Sequence, residues 1–232
     1  MELLLLSNST NFGEPYLDWC KEYVASFLKD KNEIVFIPYA GVTISNEEYE
    51  EKVNIGLSQL KIVVKSIHRY TNEKEALINA DAIVVGGGNT FVLLKTLYEK
   101  NLLNLIKDKV SSGEAKYVGW SAGSNVAGIG INTSNDMPIA FPPSFDAIGM
   151  VPFMINPHFT NKVIENHGGE SRIQRLKEFM EVNNSEIMTM EEGSGVKISN
   201  NVMNKIGVKA VSILSKNTED RPLMQNEIYT IN

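Results

Sequence analysis

One serine stands where a chain could make it reactive. Gly119-Trp120-Ser121-Ala122-Gly123 follows the short apolar run that ends at Gly119 and precedes a run of small residues to Gly128. This is the Gly-x-Ser-x-Gly pattern, which reads as a strand turning sharply into a helix with Ser121 at the corner. Such a bend puts the serine oxygen in the open at the positive end of the following helix. It also leaves the Ala122 N–H free to face an oxyanion. The pattern alone is equally compatible with a strand–helix turn that binds a phosphate or nothing.

A serine hydroxyl needs a base within hydrogen-bond reach, and that base is usually a histidine oriented by a carboxylate. The chain offers three histidines. His68 sits beside Arg69 and reads as structural or surface. His167 precedes Gly168-Gly169 in what reads as a mobile turn. His158 lies in Ile155-Asn156-Pro157-His158, where a strand breaks at a proline and a loop delivers the side chain. The end of a parallel strand is where an open α/β sheet places its chemistry, so His158 is the favoured base.

Two acids compete to orient it. Asp136 lies in a polar loop soon after the serine helix, and Glu192 lies in Met190-Glu191-Glu192-Gly193 after an expected strand. Spacing does not choose between them. Gly86-Gly87-Gly88 lets backbone N–H groups approach a ligand closely, and with Ala122 it could polarise a carbonyl oxygen. No Lys-Ser/Thr follows these glycines as a phosphate loop requires, and the Gly-x-Gly-x-x-Gly spacing is absent. No Cys/His cluster and no His-Glu-x-x-His motif suggests zinc. The expectation is a hydrolase without metal or cofactor.

The elements that must position these residues alternate strand and helix through the first half of the chain. Strands are expected at 3–6, 34–37, 62–64, 82–85 and up to Gly119. Helices are expected from Pro15 to Leu28, from Asn46 to about Lys61, and over 73–80, 91–98 and 102–110. The first helix would bury Leu17, Cys20, Tyr23, Val24, Phe27 and Leu28. This alternation argues for a mostly parallel sheet with helices on both faces, within a single α/β domain spanning 1–232. Five prolines between Pro138 and Pro157 mark long ordered loops. A helix over 170–182 and short strands at 187–190, 195–198, 210–214 and 227–231 follow, the strands expected to add antiparallel edges to that sheet.

Composition narrows the partners. The formal net charge is -6 with 22 Lys and Arg against 28 Asp and Glu. No basic block suggests nucleic acid or a membrane surface. Cys20 is the only cysteine, so no internal disulfide can form, which fits a reducing compartment. Four consecutive leucines after Met1-Glu2 are too few for a signal sequence. A cytoplasmic protein is expected, as monomer or homodimer.

The stretches 1–10, 36–43, 85–91, 119–125, 135–139 and 155–161 closely resemble the peptidase E family of bacterial aspartyl dipeptidases. The likeness covers nearly the whole chain and weakens after about Gly195. It implies a serine peptidase acting on dipeptides with N-terminal aspartate (Asp-Xaa), on a fold similar to the class I glutamine amidotransferases. By resemblance Ser121 is the nucleophile and His158 the base. Asp136 matches the acid traditionally placed in the family's charge relay and is expected to be essential; Glu192 matches a position also proposed for that role, so the orienting acid stays open between the two. Arg172 matches an arginine thought to read the substrate carboxylate. A cation is mildly disfavoured in the first turn of a helix, which supports that role. The alternatives are a cyanophycinase-like β-aspartyl peptidase with the same serine machinery, and a non-catalytic binding protein on the same fold.

Overall fold

The computed structural model describes residues 1–162 and 168–231. Its elements run β1 (Glu2–Leu6), α1 (Lys21–Leu28), β2 (Ile34–Ile37), α2 (Asn46–Leu57), β3 (Lys65–Ser66), α3 (Glu73–Asn79), β4 (Ala82–Val85), α4 (Thr90–Glu99), α5 (Leu103–Ser111), β5 (Lys116–Trp120) and α6 (Ala122–Asn125). Then follow β6 (Met154–Asn156), α7 (Arg172–Val182), β7 (Ile187–Met190), β8 (Ser194–Ser199), β9 (Val202–Gly207), β10 (Val211–Leu214), β11 (Arg221–Pro222) and β12 (Tyr229–Thr230).

Eight strands form one sheet in the order β12-β9-β8-β1-β5-β4-β2-β3. The five strands from β1 to β3 are mutually parallel, and β8, β9 and β12 continue antiparallel beyond β1. The parallel strands are apolar at nearly every position because both faces are covered. Along β1 the side chains alternate: Leu3 and Leu5 join one core with α3, α4 and α5, whereas Leu4 and Leu6 join the other with α1 and α2. The α/β class with helices on both faces is therefore as expected.

The antiparallel tail differs in one respect. Only β8, β9 and β12 extend the main sheet. The strands β7 and β10 form a second sheet, ordered β11-β10-β7-β6, in which β6 and β7 are parallel. The main-sheet hairpin turns at Asn200-Asn201, both with positive φ (49° and 63°), the left-handed pair that a two-residue hairpin needs.

Three other expectations shift. The first helix starts at Lys21, not Pro15, because Leu17 adopts φ +62° and its N–H donates to Ser9 O, which breaks any helix there. Leu17 and Cys20 are still buried, but Tyr23 is partly exposed. Burial pushes the Cys20 thiol up to about 12, so it packs as a small apolar group. The strand expected at 62–64 is displaced to Lys65–Ser66. The Asn54 side chain takes both backbone groups of Val64, accepting from its N–H and donating to its carbonyl at 2.9 Å each. The 46–61 helix ends at Leu57 and tightens into a 3₁₀ turn over Ser58–Leu60. It begins in a full capping box between Ser45 and Glu48.

The short α6 seats against β4 only because Gly123 has no side chain. A Cβ there would lie 2.2 Å from the Val85 carbonyl oxygen. Gly123→Ala is therefore expected to destabilise the fold by about 2 kcal/mol or more, as overpacking does. Urea denaturation should show a lower midpoint with an unchanged slope.

Candidate active site

Ser121 sits at the junction of β5 and α6 with φ +54° and ψ -115°, a conformation that non-glycine residues rarely adopt. Its backbone is anchored on both sides. Ser121 N–H donates to Leu6 O at 3.1 Å, and Asn125 N–H donates to Ser121 O at 2.9 Å. Below the bend the Ser124 hydroxyl reaches Leu6 O (2.7 Å) and Gly119 O (2.8 Å), and Tyr117 Oη donates to Gly123 O at 2.6 Å. These contacts hold a strained corner in place so that the side chain leaves the core.

His158 follows β6 and is the second residue at a positive φ, +52°. Its N–H donates to Ser7 Oγ at 2.9 Å, and that hydroxyl donates in turn to Met190 O at 2.9 Å. The next residue, Phe159, donates its N–H to the same Met190 carbonyl. Ser7, buried at the end of β1, thus ties the histidine loop of the second sheet to the first sheet. Neither the sequence pattern nor the resemblance marked it.

The imidazole bridges two side chains. His158 Nε2 lies 2.8 Å from Ser121 Oγ, and Nδ1 lies 2.7 Å from Glu192 Oε1. A carboxylate only accepts hydrogen bonds, so Nδ1 carries the proton of the neutral ring and Nε2 accepts from the serine hydroxyl. Glu192 is delivered by the turn after β7. There Gly193 N–H donates to Asn8 Oδ1 at 2.8 Å, and Ser194 Oγ donates to Glu191 O at 2.6 Å.

Asp136 stands elsewhere. Its Oδ2 accepts from Thr90 N–H at 2.8 Å and from Thr90 Oγ1 at 2.5 Å, at the start of α4. Next to it, Asn89 Nδ2 donates to Met137 O at 2.8 Å. The acid that meets His158 is thus Glu192, and Asp136 instead ties its own loop to the end of the glycine run. The reason is positional: Asp136 faces a helix start, where two donors compete for its oxygen.

The glycine run lies against the serine. A Cβ on Gly87 would fall 2.9 Å from Ser121 Cβ. Gly88 has φ +138°, and a Cβ on it would strike Ala40 O at 2.1 Å, so no other residue fits. Gly86 N–H is committed to Ile37 O and Asn89 N–H to Ala40 O. Among the described residues, neither the Gly88 nor the Ala122 N–H donates to an acceptor of the chain.

Ser121, His158, Gly87 and Gly88 line a cavity of about 300 Å³, with Thr43, Tyr49 and Lys52 on its walls. Lys52, whose ammonium stands 4.6 Å from the Tyr16 ring centroid, is a cation that the sequence reading passed over. It sits mid-helix among glutamates and reads there as surface. A second cavity of about 870 Å³ opens beside His158 and Glu192, flanked by Phe12, Val208 and Lys209.

Arg172, the first residue of α7, is half-buried and donates from a terminal nitrogen to His158 O at 3.2 Å. Burial, and then neighbouring Arg175, hold its guanidinium below the usual arginine range, so an anion beside it would be welcome. His68 belongs to a separate cluster, its Nδ1 2.7 Å from Ser66 Oγ. His167 lies outside the described residues. Among those described, no helix is long and apolar enough to cross a membrane.

Comparison with known proteins gives the chain's family. The chain is similar to peptidase E of Haemophilus influenzae, 45% identical over 215 residues covering 91% of this chain and 98% of that one. It is similar to peptidase E of a Nostoc species, 47% identical over 211 residues covering 90% and 87%. Among solved structures it shares its fold with a peptidase from an acI-B1 Actinobacterium (TM-score 0.73, 21% identity, 99% and 96% covered). A putative peptidase E protein from Listeria monocytogenes shares it too (TM-score 0.66, 21% identity, 90% and 98% covered). The model of peptidase family S51 matches residues 3–206. With a serine, an imidazole and a carboxylate in line at the strand ends, this chain belongs to peptidase family S51.

Proposed function

We propose that the protein is a serine dipeptidase that hydrolyses Asp-Xaa dipeptides through an acyl-enzyme, acting in the cytoplasm as one α/β domain. The observation that supports this best is the unbroken line Ser121 Oγ, His158, Glu192, with contacts of 2.8 and 2.7 Å.

In this mechanism His158 Nε2 takes the Ser121 proton as Oγ attacks the aspartyl carbonyl carbon. The Gly88 and Ala122 N–H groups receive the carbonyl oxygen as it gains negative charge. Glu192 fixes the tautomer and stabilises the imidazolium that forms. His158 then gives its proton to the leaving amine, the C–N bond breaks, and the Xaa residue departs. Water attacks the ester with His158 again as base, which releases aspartate and restores Ser121. The cavity of about 300 Å³ is at the small end for ligand sites, which suits a dipeptide. Arg172, half-buried and bonded to His158 O, offers a guanidinium for the aspartate side chain, where a planar fork matches a carboxylate.

Ser121→Ala should lower kcat on Asp-Leu by about 10⁴-fold or more, as nucleophile removal does; wild-type turnover in that variant would end the proposal. A panel of Asp-Xaa, Glu-Xaa and Asn-Xaa dipeptides with β-Asp-Arg should show cleavage of Asp-Xaa above the rest. Glu192→Gln should cost about 10²-fold or more in kcat, because a neutral amide cannot stabilise the imidazolium and its NH2 can donate to Nδ1, favouring the wrong tautomer. Asp136→Asn should leave more activity than that and instead lower the urea midpoint, since the Thr90 hydrogen bonds weaken. The reverse order of losses would return the orienting role to Asp136. Arg172→Ala should cut cleavage of Asp-Leu while sparing a neutral ester; equal losses on both would refute its role in specificity.

A further inference from the structure

The glycine run must present a backbone N–H to Ser121, yet glycine is the residue least able to hold a direction by itself. Something outside the run has to fix it. The ties at its two ends, Gly86 N–H to Ile37 O and Asn89 N–H to Ala40 O, leave the peptide between Gly87 and Gly88, both the Gly87 carbonyl and the Gly88 N–H, without a backbone partner among the described residues.

That peptide is held by a side chain from another element. Tyr49, one turn into α2 and only 6% exposed, donates its hydroxyl to Gly87 O at 2.9 Å. The same hydroxyl accepts from Trp120 Nε1 at 3.2 Å, and Trp120 is the residue immediately before Ser121. Phe36 of β2 stacks on Trp120 with centroids 6.0 Å apart and meets Tyr49 edge-on at 5.0 Å, so neither ring is free to swing. Burial pushes the Tyr49 phenol up, and it keeps its proton for donation. A Cβ on Gly86 would lie 2.6 Å from the same oxygen, so the run packs directly on this phenol.

In a trans peptide the carbonyl and the following N–H point in opposite directions. With the Gly87 carbonyl turned to Tyr49, the Gly88 N–H is turned away from that hydroxyl, and Gly88 lines the same cavity as Ser121 and His158. We propose that Tyr49 is a positioning residue for the reaction, its hydroxyl setting the Gly88 N–H as an oxyanion donor and its bond from Trp120 coupling that donor to the serine bend. This rests on the reading of Gly88 as an oxyanion donor given above. The Tyr49 hydroxyl is committed to Gly87 O and Trp120 Nε1, so although the residue lines the cavity, loss of the hydroxyl is expected to act on the transition state and not on substrate binding.

Tyr49→Phe keeps the ring and removes the hydroxyl. The expected result is a fall in kcat on Asp-Leu of about 10- to 100-fold, less than or comparable to losing a donor outright, with KM within about twofold of wild type. The aldehyde analogue of aspartate, whose adduct with Ser121 carries an oxygen in the donor position, should bind more weakly by a similar factor. The reduced-amide analogue of Asp-Leu, which has no carbonyl oxygen, should bind as before. Unchanged kcat, or equal weakening of both analogues, would overturn the proposal.

A labelled-amide NMR spectrum separates this from the reading beneath it. In the wild type the Gly88 amide proton should move downfield when the aldehyde binds. No movement there removes Gly88 as a donor, whereas movement that persists fully in Tyr49→Phe removes Tyr49 alone. Should Tyr49→Phe fold poorly, 3-fluorotyrosine at position 49 gives a stronger donor of nearly the same shape. Aldehyde binding should then tighten and reduced-amide binding stay constant; no difference between them would also overturn the proposal.

Discussion

The site depends on a single unfavourable backbone conformation, the bend at Ser121. A residue at φ +54° and ψ -115° relaxes unless its surroundings over-determine it. Here Leu6 O accepts from the Ser121 N–H and also from the Ser124 hydroxyl, so the end of β1 grips both sides of the bend. The close approach of Gly123 to Val85 O leaves α6 no room to slide away from β4. Strain at the corner is thus opposed by the packing of three parallel strands, and the serine hydroxyl is set outward as a result.

The remaining groups arrive from the carboxyl ends of neighbouring strands, as expected for a parallel sheet. β4 supplies the glycine run, β6 the imidazole and β7 the acid. His158 is held at φ +52° by a hydrogen bond to Ser7, and Glu192 is placed by the Asn8 side chain through Gly193. Two adjacent polar residues just past β1 therefore aim the imidazole and the carboxylate it meets. They make no contact with Ser121 Oγ, yet they decide whether the three groups line up.

Much of this was legible in the residues. The parallel strands read as apolar runs, Ser121 as the corner of its pentapeptide, and His158 as a base beyond a proline. The choice between Asp136 and Glu192 was not legible, because both sit in polar loops and the difference lies in remote partners: Thr90 for one, Asn8 acting through Gly193 for the other. Leu17 misled because it is apolar at helical spacing and buried, while its backbone is left-handed. Val64 misled because Asn54 occupies its hydrogen-bonding groups. The second sheet escaped because β6, β7 and β10 read as strands while nothing in their residues says which sheet they join. Tyr49 looks like an ordinary helix residue until the glycine run is folded against it, and Lys52 until the cavity it lines is formed.

The serine and the imidazole belong to different sheets, and the Ser7 hydroxyl is a polar link across that seam. A catalytic constellation must be held within about 0.5 Å of its productive geometry, far less than would expose any core side chain. A slight shear of one sheet over the other would therefore silence the enzyme while its outline, helix content and apolar interior stayed intact. Turnover in such a molecule is the finest available gauge of how its two layers are seated.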